Sequence, residues 1–263
     1  MEFTDVIKRR RMVRAFTNEP LPEGTTDRLL RAANRAPSAG FSQGQAYLVL
    51  EGAEQTGRLW AIFGDDFAEG TFAKLPNAPL VIVPLANKDV YLDRYAEQDK
   101  GWTDRDEAHW PVPYWYIDTG MAALLVLLQT VDDGLGALFF GIPPEDMDEF
   151  RGAFNVPEVW TPIGAVAVGY PDLPKDPGGS GTSRPRKSLE DLVHRAAWLI
   201  RPRALVTGPR GPAPSRRVPP CAPSHPRALR GQHDWCGRTG PSTPLSMGHY
   251  RGYSPSNDPS TGL

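Results

Sequence analysis

The stretch from Ile117 to Val131 constrains the fold more than any other part of the sequence. Its side chains are apolar or small on nearly every helical face, and no charge occurs between Thr119 and Thr130. A helix of that kind has no face to give to water and must be covered all round. In a chain of 263 residues this points to the centre of a dimer as readily as to the centre of a monomer. The longest apolar run, Met121 to Leu128, falls far short of the roughly 20 residues a spanning helix needs. The opening residues carry no secretory pattern. The expectation is a soluble, cytoplasmic protein with no membrane partner.

Around this helix the sequence alternates between helical and strand patterns. Residues 2–11 read as a short amphipathic helix, with Phe3, Val6 and Ile7 at helical spacing. A second helix begins near Pro20-Leu21-Pro22-Glu23 and ends before Pro37. Tyr47–Leu50 and Leu80–Leu85 read as strands. Gly134-Leu135-Gly136 ends the long helix, Ala137–Phe140 is a strand, and Pro143–Phe150 opens a helix. Pro162–Tyr170 is a last buried strand. The elements follow no regular βαβ beat, so an α+β domain is expected, with a central sheet and helices on both sides.

The pattern stops near Arg201. From there on the chain has nine Arg, no Lys and two acidic residues, and holds twelve of the 28 prolines. The first 200 residues are left with 20 basic against 29 acidic side chains. Two domains of composition follow: a folded, acidic segment 1–200 and a Pro/Arg/Gly-rich segment 201–263, read as a disordered tail or an unselected extension. Nine arginines over 63 residues are too sparse for a nucleic-acid arm, and no aromatic-basic motif accompanies them. Both cysteines, Cys221 and Cys236, fall in the tail. That removes catalytic cysteine and thiolate-metal chemistry from residues 1–200. With His225 and His233 they fit no common zinc spacing, so no metal is expected.

Three short constellations carry chemistry. Lys8-Arg9-Arg10-Arg11-Met12-Val13-Arg14 places five cations in seven residues; Arg10 and Arg14 would share a face if the first helix continued. Such a cluster can grip a phosphate through bidentate, charge-assisted hydrogen bonds, though alone its plainer reading is a solvated face. Ala36-Pro37-Ser38-Ala39-Gly40-Phe41-Ser42-Gln43 lets backbone amides approach a ligand, or is simply a helix-to-strand turn. Ser183-Arg184-Pro185-Arg186-Lys187-Ser188 adds a further basic group, or merely starts the basic tail.

Taken in order, these segments resemble the FMN-binding nitroreductase family. Arg10-Arg11-Met12-Val13-Arg14-Ala15-Phe16 is similar to its opening Arg-Arg-Ser-x-Arg-x-Phe. Ala36 to Gln43 is similar to its Ala-Pro-Ser-x-x-Asn-Ser-Gln block, and Gly134 to Gly141 to its Gly-Leu-Gly-Ser-x-Trp-x-Gly block. Pro162 to Pro171 and Arg186 to His194 resemble the two closing blocks. The resemblance covers residues 3 to about 198.

It implies a central mixed or antiparallel sheet flanked by helices, in an intertwined homodimer with two FMN sites at the interface. Arg10, Arg11, Arg14 and Arg186, with Arg184 and Met12, would surround the flavin's phosphate, ribityl chain or pyrimidine edge. Pro37, Ser38, Ala39, Phe41 and Gln43 would reach it from the partner subunit. Leu138, Phe139, Phe140 and Gly141 would pass beside the ring near N5. The implied activity is an NADH- or NADPH-driven ping-pong reduction of nitroaromatics, quinones or similar small acceptors, with no protein residue as acid, base or nucleophile. Reductive dehalogenation, flavin fragmentation or flavin binding without turnover are the alternatives on the same fold. Met12 in place of Ser, Phe41 in place of Asn and Gly44-Gln45 in place of Pro-Trp depart from the family pattern where it meets flavin or substrate.

One segment stands outside these blocks. Tyr91, Tyr95, Trp102, Trp110, Tyr114, Trp115 and Tyr116 crowd the residues before the long helix. They form either an aromatic lid over a planar substrate or a cluster packed on the protein's own core. His109, the one histidine among them, is assigned no catalytic role.

Overall fold

Leu80-Val81-Ile82-Val83-Pro84-Leu85-Ala86 is apolar at every position, the pattern of a strand covered on both faces. In the computed structural model this strand, β2 (Leu80–Ala86), lies inside the sheet and is buried throughout. The structure describes residues 1–64 and 70–198. The chain divides into units 1–199 and 200–263; the second, with Cys221, His225, His233 and Cys236, lies outside the described residues. The ordered elements are α1 (Phe3–Arg9), α2 (Thr25–Ala33), β1 (Gln45–Glu51), α3 (Gly52–Phe63), β2, α4 (Lys88–Ala96), α5 (Tyr114–Asp132), β3 (Gly136–Phe140), α6 (Met147–Phe154), β4 (Thr161–Pro162), β5 (Ala165–Gly169), α7 (Ser180–Ser183) and α8 (Leu189–Leu192).

The sheet runs β1-β2-β5-β3, with β4 also paired to β2, and every strand pair is antiparallel. Because side chains alternate along a strand, β2 serves two cores. Val81, Val83 and Leu85 meet Leu59, Trp60 and Phe63 of α3 and Phe150 of α6. Leu80 and Ile82 meet Leu29 and Ala33 of α2 and Ala122, Val126 and Leu127 of α5. The expected α+β domain with helices on both faces is therefore what the chain forms.

Several boundaries differ from the sequence expectation, each for a local reason. The strand expected over Pro162–Tyr170 is broken. Ile82 pairs with Val166 while Leu85 pairs with Pro162, so this side carries one residue more than β2 and bulges at Ile163-Gly164. Gly164 has φ +143°, and a Cβ there would lie 2.6 Å from the Phe139 ring, so glycine is required. The bulge sits beside Pro84, which lacks the amide a continuous ladder needs. Pro143–Phe150 starts instead as a 3-10 turn at Pro144–Asp146, and the helix runs on to Phe154. Helix α2 begins at Thr25, after left-handed Gly24. Helices α3 and α4 have no counterpart among the sequence expectations. The long helix extends from Tyr114 to Asp132, but in one chain it is not covered all round: Tyr116, Ile117 and Leu124 are more than 40% exposed.

Candidate functional site

Helix α1 ends at Arg9, and the chain turns extended at Arg10 (φ −56°, ψ 119°). Arg10 and Arg14 therefore share a face by strand alternation rather than by helical spacing. Val13 donates its N–H to the Ala137 carbonyl at 2.9 Å, and Met12 forms a parallel bridge with Ala137 on β3. Val13 and Ala15 turn into the core, which sends Arg10, Met12 and Arg14 the other way.

On that side lies a cavity of about 530 Å³, within the range of small-ligand sites. The N-terminal segment contributes Arg10, Arg11, Met12 and Arg14; the opposite wall is Leu173 and Asp176 to Gly179, with Gly181 and Thr182; Arg186 closes it. Arg14 presses its guanidinium onto Gly179, where a Cβ would come within 2.6 Å of both Nη atoms, and its Nη1 donates to the Met12 carbonyl at 3.3 Å. Among the described residues, the one carboxylate within ion-pair range of these arginines is Asp176, 3.9 Å from Arg11. An excess of guanidinium groups around a single acid is the donor set of an anion site. It suits the phosphate of a nucleotide-like cofactor.

The other residues singled out from the sequence fall in different places. Arg184 is exposed and does not line the cavity. Leu138 and Phe140 bury their side chains in the α3-side core, Phe140 stacked on Trp60 at 5.7 Å. They can meet a ligand only through backbone. Phe139 faces the other way, and its N–H is turned toward the Met12 sulfur at 3.5 Å; Gly141 is exposed just beyond β3. The altered Met12 thus supplies a weak acceptor where the family pattern has a hydroxyl.

Pro37, Ser38, Ala39, Phe41 and Gln43 lie on a loop packed against α4 and α5, not on the arginine cavity of the same chain. Buried Asp118 of α5 accepts the Ala39 N–H at 2.8 Å and the Tyr91 hydroxyl at 2.9 Å. Arg94 donates to the Gly40 carbonyl at 2.9 Å. Phe41 and Gln43 hold left-handed backbone (φ 56° and 54°), and Phe41 is 72% exposed.

The aromatic segment packs on itself. Tyr95 lies 4.5 Å from Trp110 and 4.8 Å from Trp102, and Tyr91 packs edge-on to Trp110 and Trp115. Of the two readings of this segment, the single chain displays the packed cluster. Burial, then the bond to Asp118, pushes the Tyr91 hydroxyl well above the usual tyrosine range. His109 pairs with Asp104 at 3.0 Å, and that hydrogen bond holds the Asp104 carboxyl below its usual range. A second cavity of about 500 Å³ adjoins the cluster, but its cation, Lys88, is held by Glu107 at 2.6 Å.

Asp176, Gly178 and Gly179 are functional-site candidates that the sequence pattern alone does not single out. Their signal is the glycine cluster Pro177-Gly178-Gly179-Ser180-Gly181, standing between the last strand and Arg186.

Comparison with known proteins identifies the family and the fold. A model of the nitroreductase family matches residues 7–170. A protein of Archaeoglobus fulgidus called "Putative NADH dehydrogenase/NAD(P)H nitroreductase" is 27% identical over 200 residues, covering 75% of this chain and 99% of its own. An "NADPH-dependent oxidoreductase" of Staphylococcus aureus is 23% identical over 197 residues, covering 72% of this chain and 71% of its own. Among solved structures, the nitroreductase CinD of Lactococcus lactis superposes with a TM-score of 0.59 at 19% identity, over 74% of this chain and all of CinD.

Proposed function

The chain belongs to the nitroreductase family of oxidoreductases, and on that premise we propose that it binds FMN and moves electrons from NADH or NADPH to a small organic acceptor. The observation that carries the reading is the meeting of Arg10, Arg11, Arg14 and Arg186 from opposite ends of the domain around one cavity. These arginines are the phosphate anchors of the proposed site. A cation near the flavin's pyrimidine edge also favours the negative charge that a reduced flavin carries.

When bound, FMN would supply two-electron hydride chemistry that no side chain of this protein can perform. The chain's own part is to bind and orient. Arg14, braced on Gly179 and Met12, offers a fixed guanidinium. The backbone from Leu138 to Gly141, at and just past the end of β3, offers an edge whose side chains are already committed to the core at Leu138 and Phe140. No residue of the cavity is assigned a proton-transfer role. The acceptors in this reading are nitroaromatics, quinones and similar planar molecules; CinD is described in complexes with nicotinic acid and with chloramphenicol.

The same reading includes a homodimer. Tyr116, Ile117 and Leu124 of α5, Phe3 and Ile7 of α1, and Leu189 and Leu192 of α8 are apolar and exposed in the single chain. A second copy would cover them and bring its own Pro37–Gln43 loop to the site. The domain division proposed is a flavin-binding segment 1–200 followed by a tail that takes no part in it.

Steady-state oxidation of NADH or NADPH with a nitroaromatic or a quinone tests the activity. Parallel double-reciprocal lines and a two-electron reduced product are expected. Stoichiometric FMN binding without steady-state turnover would replace the enzyme by a flavin-binding protein, a reading favoured by the Met12 sulfur at the Phe139 amide. Dehalogenated acceptors or fragmented flavin would move it to other chemistry on the same fold.

A further inference from the structure

A carboxylate inside an anion cavity needs a reason, because it repels the ligand the arginines attract. The Asp176 side chain is only 5% exposed. Its Oδ2 accepts the backbone N–H of Arg14 at 3.3 Å, and its Oδ1 accepts the backbone N–H of Gly178 at 2.8 Å. Arg11 lies 3.9 Å from Oδ2. One carboxylate thus ties the N-terminal arginine segment to a turn far along the chain. That turn presents Gly179 to the guanidinium of Arg14.

We infer that Asp176 is a positioning residue for the phosphate group of the bound flavin, acting through Arg14 and the 176–179 turn. The inference rests on the reading of this cavity as the phosphate end of an FMN site. Both oxygens are needed, since each accepts from a different amide. Asparagine has the same shape but one acceptor, and would turn an NH₂ group toward one of the two N–H donors.

Charge and position make opposite forecasts for Asp176→Asn. Were the carboxylate only a repelling charge, its removal would tighten FMN. As the clamp of Arg14, its removal weakens FMN by about tenfold, the worth of roughly one good hydrogen bond to a charged site. Riboflavin, which lacks the phosphate, separates this from general loss of structure. Gly179→Ala is the other variant. The Gly179 backbone is extended (φ −145°, ψ −175°), so alanine is tolerated there, and only the head of Arg14 must move.

The experiment is titration of apoprotein with FMN and with riboflavin, for the unaltered chain, Asp176→Asn and Gly179→Ala. The expected result is weaker FMN binding in both variants, with riboflavin affinity changed by less than about twofold. FMN bound equally or more tightly by Asp176→Asn overturns the inference, as does a riboflavin affinity that falls in step with FMN. Should Asp176→Asn fail to fold, Gly179→Ala decides: unchanged FMN affinity there overturns it. An unaltered chain with no preference for FMN over riboflavin refutes the phosphate reading itself, and is recognisable without either variant.

Discussion

Between Lys88 and His109 the charged side chains consume one another. Arg94 holds Asp99 at 2.6 Å and Glu97 at 3.1 Å, Arg105 holds Asp93 at 2.8 Å, Lys88 holds Glu107 at 2.6 Å, and His109 holds Asp104 at 3.0 Å. Around the cavity lined by Arg10, Arg11, Arg14 and Arg186, the one ion pair of these arginines among the described residues is Arg11 with Asp176, at 3.9 Å. The aromatic segment has the richer chemistry on paper, with its rings and its histidine, yet these charged groups are spent on holding the segment itself and the neighbouring loop. The arginine segment is, by sequence, an ordinary basic run, and its charge is left over for a ligand. Unspent charge gathered around a cavity, rather than an abundance of polar residues, is what marks the candidate site.

The sharpest break in this comparison is a pair of arginine replacements. Arg14→Ala should weaken FMN binding by about a hundredfold, the loss of charge-assisted bonds to a phosphate. Arg105→Ala, which removes a cation from the paired region, should leave FMN affinity within about twofold. Equal losses in titrations of the two variants would erase the distinction.

Asp118→Ala probes the structural region. It strips the acceptor from the Ala39 amide and the buried Tyr91 hydroxyl. The expected cost is about 2–3 kcal/mol, seen as a thermal midpoint several degrees lower. The drop should exceed that of Arg14→Ala; the reverse order would contradict the assignment of the two regions.

A smaller effect follows from two tyrosines, half-buried Tyr47 and buried Tyr91. Burial raises Tyr47 from 10.0 to about 12, and Tyr91 is raised too, by burial and then by its bond to Asp118. The folded protein keeps protons that the unfolded chain sheds above pH 10. Stability from Tyr47 is therefore complete below pH 10 and is lost as pH rises toward about 12. Urea midpoints measured across that range should decline, and less steeply in Tyr47→Phe. An identical slope in the variant would remove Tyr47 from the account.

The smallest expected effect is none. Removing residues 201–263 should leave the flavin content of the purified protein unchanged. Lost flavin would place the tail within the site.

The sequence made the sheet and the two helical faces legible through Leu80–Ala86, where pattern and burial coincide, and through the charge-free stretch Thr119–Thr130 of α5. It pointed to the arginines of the cavity but to the wrong reason for their common face, because helix α1 stops at Arg9 when Met12 and Val13 dock on β3. It hid the bulge at Gly164, which depends on a contact with Phe139 from another strand. Asp176 was equally hidden, since a lone acid near a glycine cluster acquires meaning only when Arg14 is folded beside it. Helix α4 is hard to read because its apolar residues serve an aromatic cluster rather than a regular stripe. Contacts between distant segments, not local pattern, separate what was legible from what was not.

In the proposed function the arginine cavity holds an FMN that the protein can reduce. The absorbance spectrum of the purified chain, recorded before and after anaerobic addition of NADH or NADPH, tests it most directly. A yellow protein with flavin bands that bleach on addition is the expected result. A pure protein that is colourless, and stays colourless after incubation with FMN and desalting, would contradict it.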